Sequence, residues 1–251
     1  MSALLLGVLA VLGLVVGGVA NTVIVRLPDD RPLRRPGPEC PECTTRLGWG
    51  DVVPVVSWVR LRGRCRACAS PIPLAYPLVE LGMAGLWVVA GIRFGPSLEL
   101  IPYLVLFTVL LTQSVIDLEL YLLLDRITFP ALAVEVVVLG GIAVARGDLG
   151  PARSALIGAL VYFLLLFVPA LIYPRGMGFG DVKLAALMGL LLGWINPLLT
   201  LYALVTASLL GIVAGTALWL VRGREGSHFP FGPWLAAGCV LAIVFSASLL
   251  R

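Results

Sequence analysis

Apolar runs long enough to cross a bilayer recur along this chain, and they constrain its fold more than any motif does. Residues 3–25 contain no charged side chain. Crossing the hydrocarbon takes about 20 apolar residues in a helix. Residues 74–92, 98–116, 127–145, 152–173, 198–221 and 229–250 meet or approach that length. Residues 184–194 are apolar but too few for a straight crossing, so that segment tilts, extends past its charged neighbours or re-enters. The chain therefore predicts eight helices, or seven full spans with one re-entrant piece. No run of alternating apolar residues supports a barrel. Within lipid, helices satisfy their own backbone groups. The expected fold is an all-α polytopic membrane protein, a bundle of about eight helices with one small cytoplasmic loop domain. Composition agrees. At 60% hydrophobic and 13% charged, the chain is neither a cytosolic globule nor a disordered one.

Basic residues orient the bundle. With the N-terminus outside, fourteen of the eighteen Lys and Arg residues fall in inside loops. Nine of them, from Arg26 to Arg66, belong to one stretch, residues 26–73. The organisation expected is a first helix at 1–25, a cytoplasmic loop at 26–73 and a membrane core at 74–251. No internal repeat is evident. The first segment lacks a basic leader region and is read as a retained span rather than a signal peptide.

The loop carries Cys40, Cys43, Cys65 and Cys68, two CxxC pairs with 21 residues between them. Each CxxC turn aims two sulfurs at one point, and a tetrahedral zinc ion takes four. Such a closed site has no open coordination position, so its role is structural. The loop has few bulky apolar residues, and metal binding would supply its folding free energy. Disulfides are the alternative if the topology is inverted. Cys239, in the last span, reads as a small buried apolar residue.

Acids within spans are expensive and mark function. Glu80, Asp117, Glu135 and Asp181 stand out. Asp117 ends the third span, and Asp181 opens the short sixth segment after a glycine run that includes Gly178 and Gly180. They are 64 positions apart but fall at the same cytoplasmic edge. Two carboxylates facing one water are the parts of an aspartic peptidase. Read individually, Asp181 is also a helix N-cap candidate and Asp117 an interfacial acid. Lys183, the only lysine, is expected either to steady Asp181 or to contact lipid phosphate. Two other classes compete. A transporter would use acids such as Glu135 as proton relays. A membrane-anchored zinc module would use the arginine-rich loop to bind a partner or nucleic acid, which leaves the two aspartates unexplained.

Ordered motifs run the length of the chain. They include Gly18-Val19-Ala20-Asn21, the two CxxC pairs, Pro54-Val55-Val56-Ser57-Trp58 and Tyr76-Pro77-Leu78-Val79-Glu80-Leu81. Later come Ile116-Asp117-Leu118 with Asp125, Gly178-Phe179-Gly180-Asp181-Val182-Lys183, and Phe229-Pro230-Phe231-Gly232-Pro233. In these the chain resembles the bacterial type IV prepilin leader peptidases, membrane-embedded aspartic peptidases with a GxGD motif. The resemblance implies Asp117 and Asp181 as the catalytic pair, supported by Gly178, Gly180 and Lys183. It implies cleavage of prepilin and pseudopilin leaders at the cytoplasmic face of the bacterial inner membrane, with no nucleic-acid partner. It further implies N-methylation of the new terminus with S-adenosylmethionine, in which the zinc loop takes part and Glu80 is the candidate cofactor residue. Leu124 stands where that family usually has Pro, Val52 where Asn is common and Ala75 where Arg is common.

Overall fold

A computed structural model describes residues 2–33, 37, 39–173, 178–222 and 229–250. Gly176 and Met177 of the glycine run lie outside the described residues, as do Arg34, Arg35, Arg175 and Arg224 of the basic set. The described structure is helical with no strands, and the chain divides into two compact units, Met1–Pro96 and Ser97–Arg251. It is a polytopic all-α membrane protein. Among the described residues, six helices are long and apolar enough to cross a bilayer.

In the first unit, α1 (Ala3–Arg26) packs on α3 (Ala75–Phe94). A four-residue step on α1, Leu9, Gly13, Gly17 and Asn21, runs along its buried face with glycines at its centre. A Cβ on Gly17 would lie 2.6 Å from the Glu80 Cα, and one on Gly13 would lie 2.7 Å from the Ala84 Cα. Bilayer helices lack a hydrophobic drive toward each other, so small residues at the contact create the close packing. Asn21 closes one end by donating to the Tyr76 carbonyl at 3.1 Å. The connection from α1 to α3 holds a short helix, α2 (Val56–Arg60), and two tight turns centred on the cysteines.

The second unit has α4 (Leu100–Leu120), α5 (Asp125–Arg146), α6 (Gly150–Ile172), α7 (Phe179–Ile195), α8 (Leu199–Arg222), α9 (Gly232–Val244) and α10 (Ser246–Leu249). Helix α7 is the hub and touches α4, α5, α6, α8 and α9. It is apolar on all sides, as a helix enclosed by others must be. Its 17 residues begin at Phe179, so the short sixth segment does extend past Asp181 and Lys183, which form its first turn. Its tightest partner is α6. A Cβ on Gly193 would sit 2.6 Å from the Ser154 carbonyl, and Gly158 and Gly189 meet backbone to backbone. Ser154 Oγ donates to the Gly193 carbonyl at 2.7 Å, and Tyr103 Oη donates from α4 to the Leu191 carbonyl at 2.8 Å. The span expected over 229–250 is broken. Helix α9 stops at Val244, and a separate turn, α10, follows.

Candidate functional site

Asp117, Asp125 and Asp181 of the second unit lie around one crossing of the chain. Helix α4 ends at Tyr121, whose left-handed backbone (φ 56°) lets its N–H return to the Asp117 carbonyl at 3.0 Å. The chain then crosses residues 122–124 and enters α5 at Asp125. This crossing is pinned by Gln113, fully buried one helical turn before Asp117. Gln113 Nε2 donates to the Leu124 carbonyl (3.0 Å) and to Thr128 Oγ1 (2.9 Å), and its Oε1 accepts from the Leu124 N–H (3.1 Å). The pin places Leu123 between two glycines. A Cβ on Gly180 would lie 2.8 Å from the Leu123 Cβ, and one on Gly232 would lie 3.3 Å from its Cδ2.

Those glycines neighbour the acids. Gly232, at the start of α9, donates its N–H to Asp117 Oδ2 at 3.0 Å, and a Cβ there would lie 2.8 Å from that oxygen. Gly180 immediately precedes Asp181. Gly180 and Gly232 both lie against Leu123, so Asp181, which follows the first, and Asp117, which accepts from the second, come from remote sequence positions to one neighbourhood, within electrostatic reach of each other. Both are buried, and Asp181 Oδ1 has no hydrogen-bond partner among the described residues. Gly178 is the residue preceding α7, and Gly180, in its first turn, packs against Leu123.

Lys183 lies elsewhere. Residues two apart are roughly 200° apart on a helix, so it faces away from Asp181. Its ammonium grips Asp125, at 2.9 Å to Oδ1 and 2.7 Å to Oδ2. This pairing was not among the partners expected for Lys183. Glu135, on α5, is buried with neither oxygen hydrogen-bonded among the described residues. Gln113, Leu123 and Gly232 were not singled out from sequence as site residues. An amide four residues before Asp117 in an apolar helix was the one available signal.

The first unit carries a second constellation. The two CxxC turns share a geometry. Cys40 N–H bonds the Thr45 carbonyl while Thr44 N–H returns to the Cys40 carbonyl. Cys65, Ser70 and Ala69 repeat this pattern 25 residues later. Thr44 (φ 54°) and Ala69 (φ 58°) both adopt the left-handed conformation, and each turn is closed by one antiparallel bridge. The loop therefore holds a duplicated turn, contrary to the expectation of no repeat. Its four sulfurs lie within 4.8 Å of one another, with Cys40 to Cys68 at 3.8 Å and Cys43 to Cys65 at 4.0 Å. Sulfurs on a tetrahedral ion with bonds of about 2.3 Å stand about 3.8 Å apart, so the set fits a metal ion. The backbone N–H groups of Cys43 and Glu42 point at Cys40 and pull its thiol down from 9.0 to about 6. Between the turns, the buried Asp51 carboxylate meets Arg66 at 3.3 Å and Arg60 at 3.7 Å.

Glu80 completes this unit. Its Oε2 accepts the Val55 N–H at 2.7 Å, and its carboxylate also bonds the Asn21 side chain. Val55 sits at φ 59°, ψ −49°, a conformation that costs a β-branched residue about 1–3 kcal/mol. Glu80 is the contact that holds it there. Trp58 braces the same segment, donating Nε1 to the Ile72 carbonyl at 3.1 Å.

Fold and donor sets together define a multi-pass helical membrane protein with a four-cysteine metal-binding loop and acids gathered around one crossing of its core. Residues 11–94 match the family model described as the bacterial peptidase A24 N-terminal domain, and residues 104–219 match the type IV leader peptidase family. Curated relatives named prepilin leader peptidase/N-methyltransferase include one from Myxococcus xanthus, 40% identical over 87% of this chain and 64% of its own length. One from Burkholderia pseudomallei is 36% identical over 94% of this chain and 84% of its own. One from Bacillus subtilis is 34% identical over 98% of this chain and 96% of its own. No solved structure matches. The chain belongs to the type IV leader peptidase family.

Proposed function

We propose that the chain is a membrane-embedded aspartic endopeptidase that removes the leader from type IV prepilins and pseudopilins, and then methylates the new N-terminal amine. We rest the peptidase reading on Asp117 and Asp181 standing beside the two glycines that pack on Leu123. One carboxylate takes a proton from water as the water oxygen attacks the scissile carbonyl carbon. The other, protonated, donates to the carbonyl oxygen. Collapse of the tetrahedral intermediate breaks the C–N bond, and the nitrogen leaves as the amine with a proton from the pair. Gly178, having no side chain, leaves room for a substrate backbone beside Asp181, and Gly180 seats Leu123. We assign the protein to the bacterial inner membrane with its N-terminus outside, on the bias of its basic loops. A prepilin's basic leader would then stay with anionic headgroups while its apolar helix enters the bilayer, bringing the scissile bond to the membrane edge.

The four cysteines fit zinc, held by Cys40, Cys43, Cys65 and Cys68 as a closed site that folds the loop. S-adenosylmethionine supplies the methyl group when bound. Glu80 gives one carboxylate oxygen to the Val55 N–H. We read it as the residue that shapes the 54–55 turn for methyl transfer, and we route no step through the cofactor.

Asp117→Asn and Asp181→Asn test the peptidase reading. Purified protein in detergent is incubated with a full-length prepilin. Each variant is expected to lose more than about a thousandfold in cleavage while keeping the wild-type unfolding midpoint and bound metal. Cleavage at the wild-type rate by either variant would remove that acid from the chemistry.

A further inference from the structure

Asp125 and Lys183 have no part in the chemistry above, yet their contact is built with care. The ammonium engages both carboxylate oxygens and lies 5.5 Å from the Phe129 ring centre and 5.4 Å from that of Phe179. Phe179 packs edge-on against Phe167 of α6, which stacks on Phe163. The lysine head therefore has one place to be. Stability does not explain this arrangement. Asp125 is about half exposed, and pairs of that kind contribute little.

Position explains it. Asp125 is the first residue of α5, directly after the 122–124 crossing. Lys183 is in the first turn of α7, two residues past Asp181. The crossing presses on α7 through Leu123 and Gly180. The ion pair closes a second link between the same two pieces of chain, so Asp181, Gly180, Leu123, Asp125 and Lys183 form a short closed circuit. Gln113 fixes the circuit to α4 through Leu124, four residues from Asp117 along that helix. The α6 seam grips α7 at Gly189 and Gly193, well beyond Asp181, so with one link alone the first turn of α7 could shift and move Asp181 relative to Asp117. Two links oppose that shift.

We propose that the Asp125–Lys183 ion pair is a positioning device, clamping the first turn of α7 to the 122–124 crossing and so setting the separation of the two carboxylates. This rests on the peptidase reading. Asp125 and Lys183 act through Asp181 and do not touch substrate.

The test measures kcat and KM for prepilin cleavage by the full-length protein in detergent. It compares wild type, Asp125→Asn, Lys183→Met, the double variant, Lys183→Arg, and Asp181→Asn as the inactive control. Misplacement by about 1 Å can cost about a hundredfold. Each neutralised single is expected to lower kcat at least about tenfold with KM within about twofold of wild type. The double should be no worse than the worse single, because both remove one link. Lys183→Arg, which keeps the pair, should retain most of kcat. Unfolding midpoints should stay within a few degrees of wild type. Singles with wild-type kcat, losses that multiply in the double, a loss confined to KM, or a collapsed midpoint in the singles would each overturn the positioning role. A wild-type protein that does not cleave, or an Asp181→Asn that does, would instead defeat the peptidase reading beneath it.

Discussion

Gln113 is the residue whose loss should be felt furthest from its own position. It satisfies both backbone groups of Leu124 and the Thr128 hydroxyl from a fully buried site. Gln113→Leu keeps most of the volume and strands the Leu124 N–H, while the Leu124 carbonyl still accepts from the Ile127 and Thr128 N–H groups. A buried group left without its partner costs about 1–3 kcal/mol, and this variant should show a lowered unfolding midpoint of that order in detergent. It should also lose kcat for prepilin cleavage, because the crossing that seats Leu123 is no longer held. Normal kcat with a lowered midpoint would restrict Gln113 to stability. The acids themselves were legible from sequence because charge is conspicuous in an apolar run. The partner of Lys183 was not, since Asp125 lies 58 positions away and only the meeting of α5 with α7 joins them. Gln113 was passed over because an uncharged amide breaks the hydrophobic pattern less than a carboxylate does.

Helices were the most readable elements, because membrane length and hydrophobicity are imposed by the solvent. The errors fell where that signal weakened. The apolar run begins at Leu184, but α7 begins at Phe179, because Asp181 and Lys183 sit in a first turn that opens onto the crossing. The last apolar run was continuous in sequence yet is divided at Phe245. The two CxxC turns were read from sequence, but their common backbone form was not, for another reason. Residues 39–46 and 64–71 share little beyond their cysteines, and what repeats is backbone conformation, not side chains. The α6–α7 seam gives the clearest packing prediction. A Cβ on Gly189 would stand 2.8 Å from the Tyr162 Cβ and 2.9 Å from the Ala159 Cα, positions that cannot give way as a flexible side-chain tip would. Gly189→Leu should therefore destabilise the second unit by about 3 kcal/mol, read as a lowered midpoint in detergent. An unshifted midpoint would mean that α6 and α7 separate without cost.

At the level of the whole chain, the metal-binding turns with Glu80 belong to one compact unit, and the paired aspartates to the other. Two activities housed this way should be separable. Cys40→Ser, or exposure of the wild-type protein to a strong chelator, should release the metal and open residues 39–71 to limited proteolysis. N-methylation of a cleaved pilin, followed by mass spectrometry, should fall at least about tenfold, the scale at which lost metal support is felt. Leader cleavage should continue. Loss of cleavage together with methylation would show that the aspartate pair depends on the loop. The division was only partly visible in sequence. The loop announced itself through arginine, proline and cysteine, whereas the grouping of α3 with α1 depends on Gly13, Gly17 and Gly91, which look like ordinary membrane glycines until the helices meet.

Helix α7 is about 25 Å long at 1.5 Å per residue, against a hydrocarbon thickness of about 30 Å. Because α7 is enclosed by other helices, its neighbours and not lipid border the difference. If the far end of α7 is held level by its ties through Ser154 and Trp194, the shortfall appears at the end that carries Asp181. A recess a few ångströms deep, walled by protein, would then stand over that end. Solvent would reach the acids from the headgroup side with no dedicated pore, and an incoming substrate helix would meet water only at the bond to be cut.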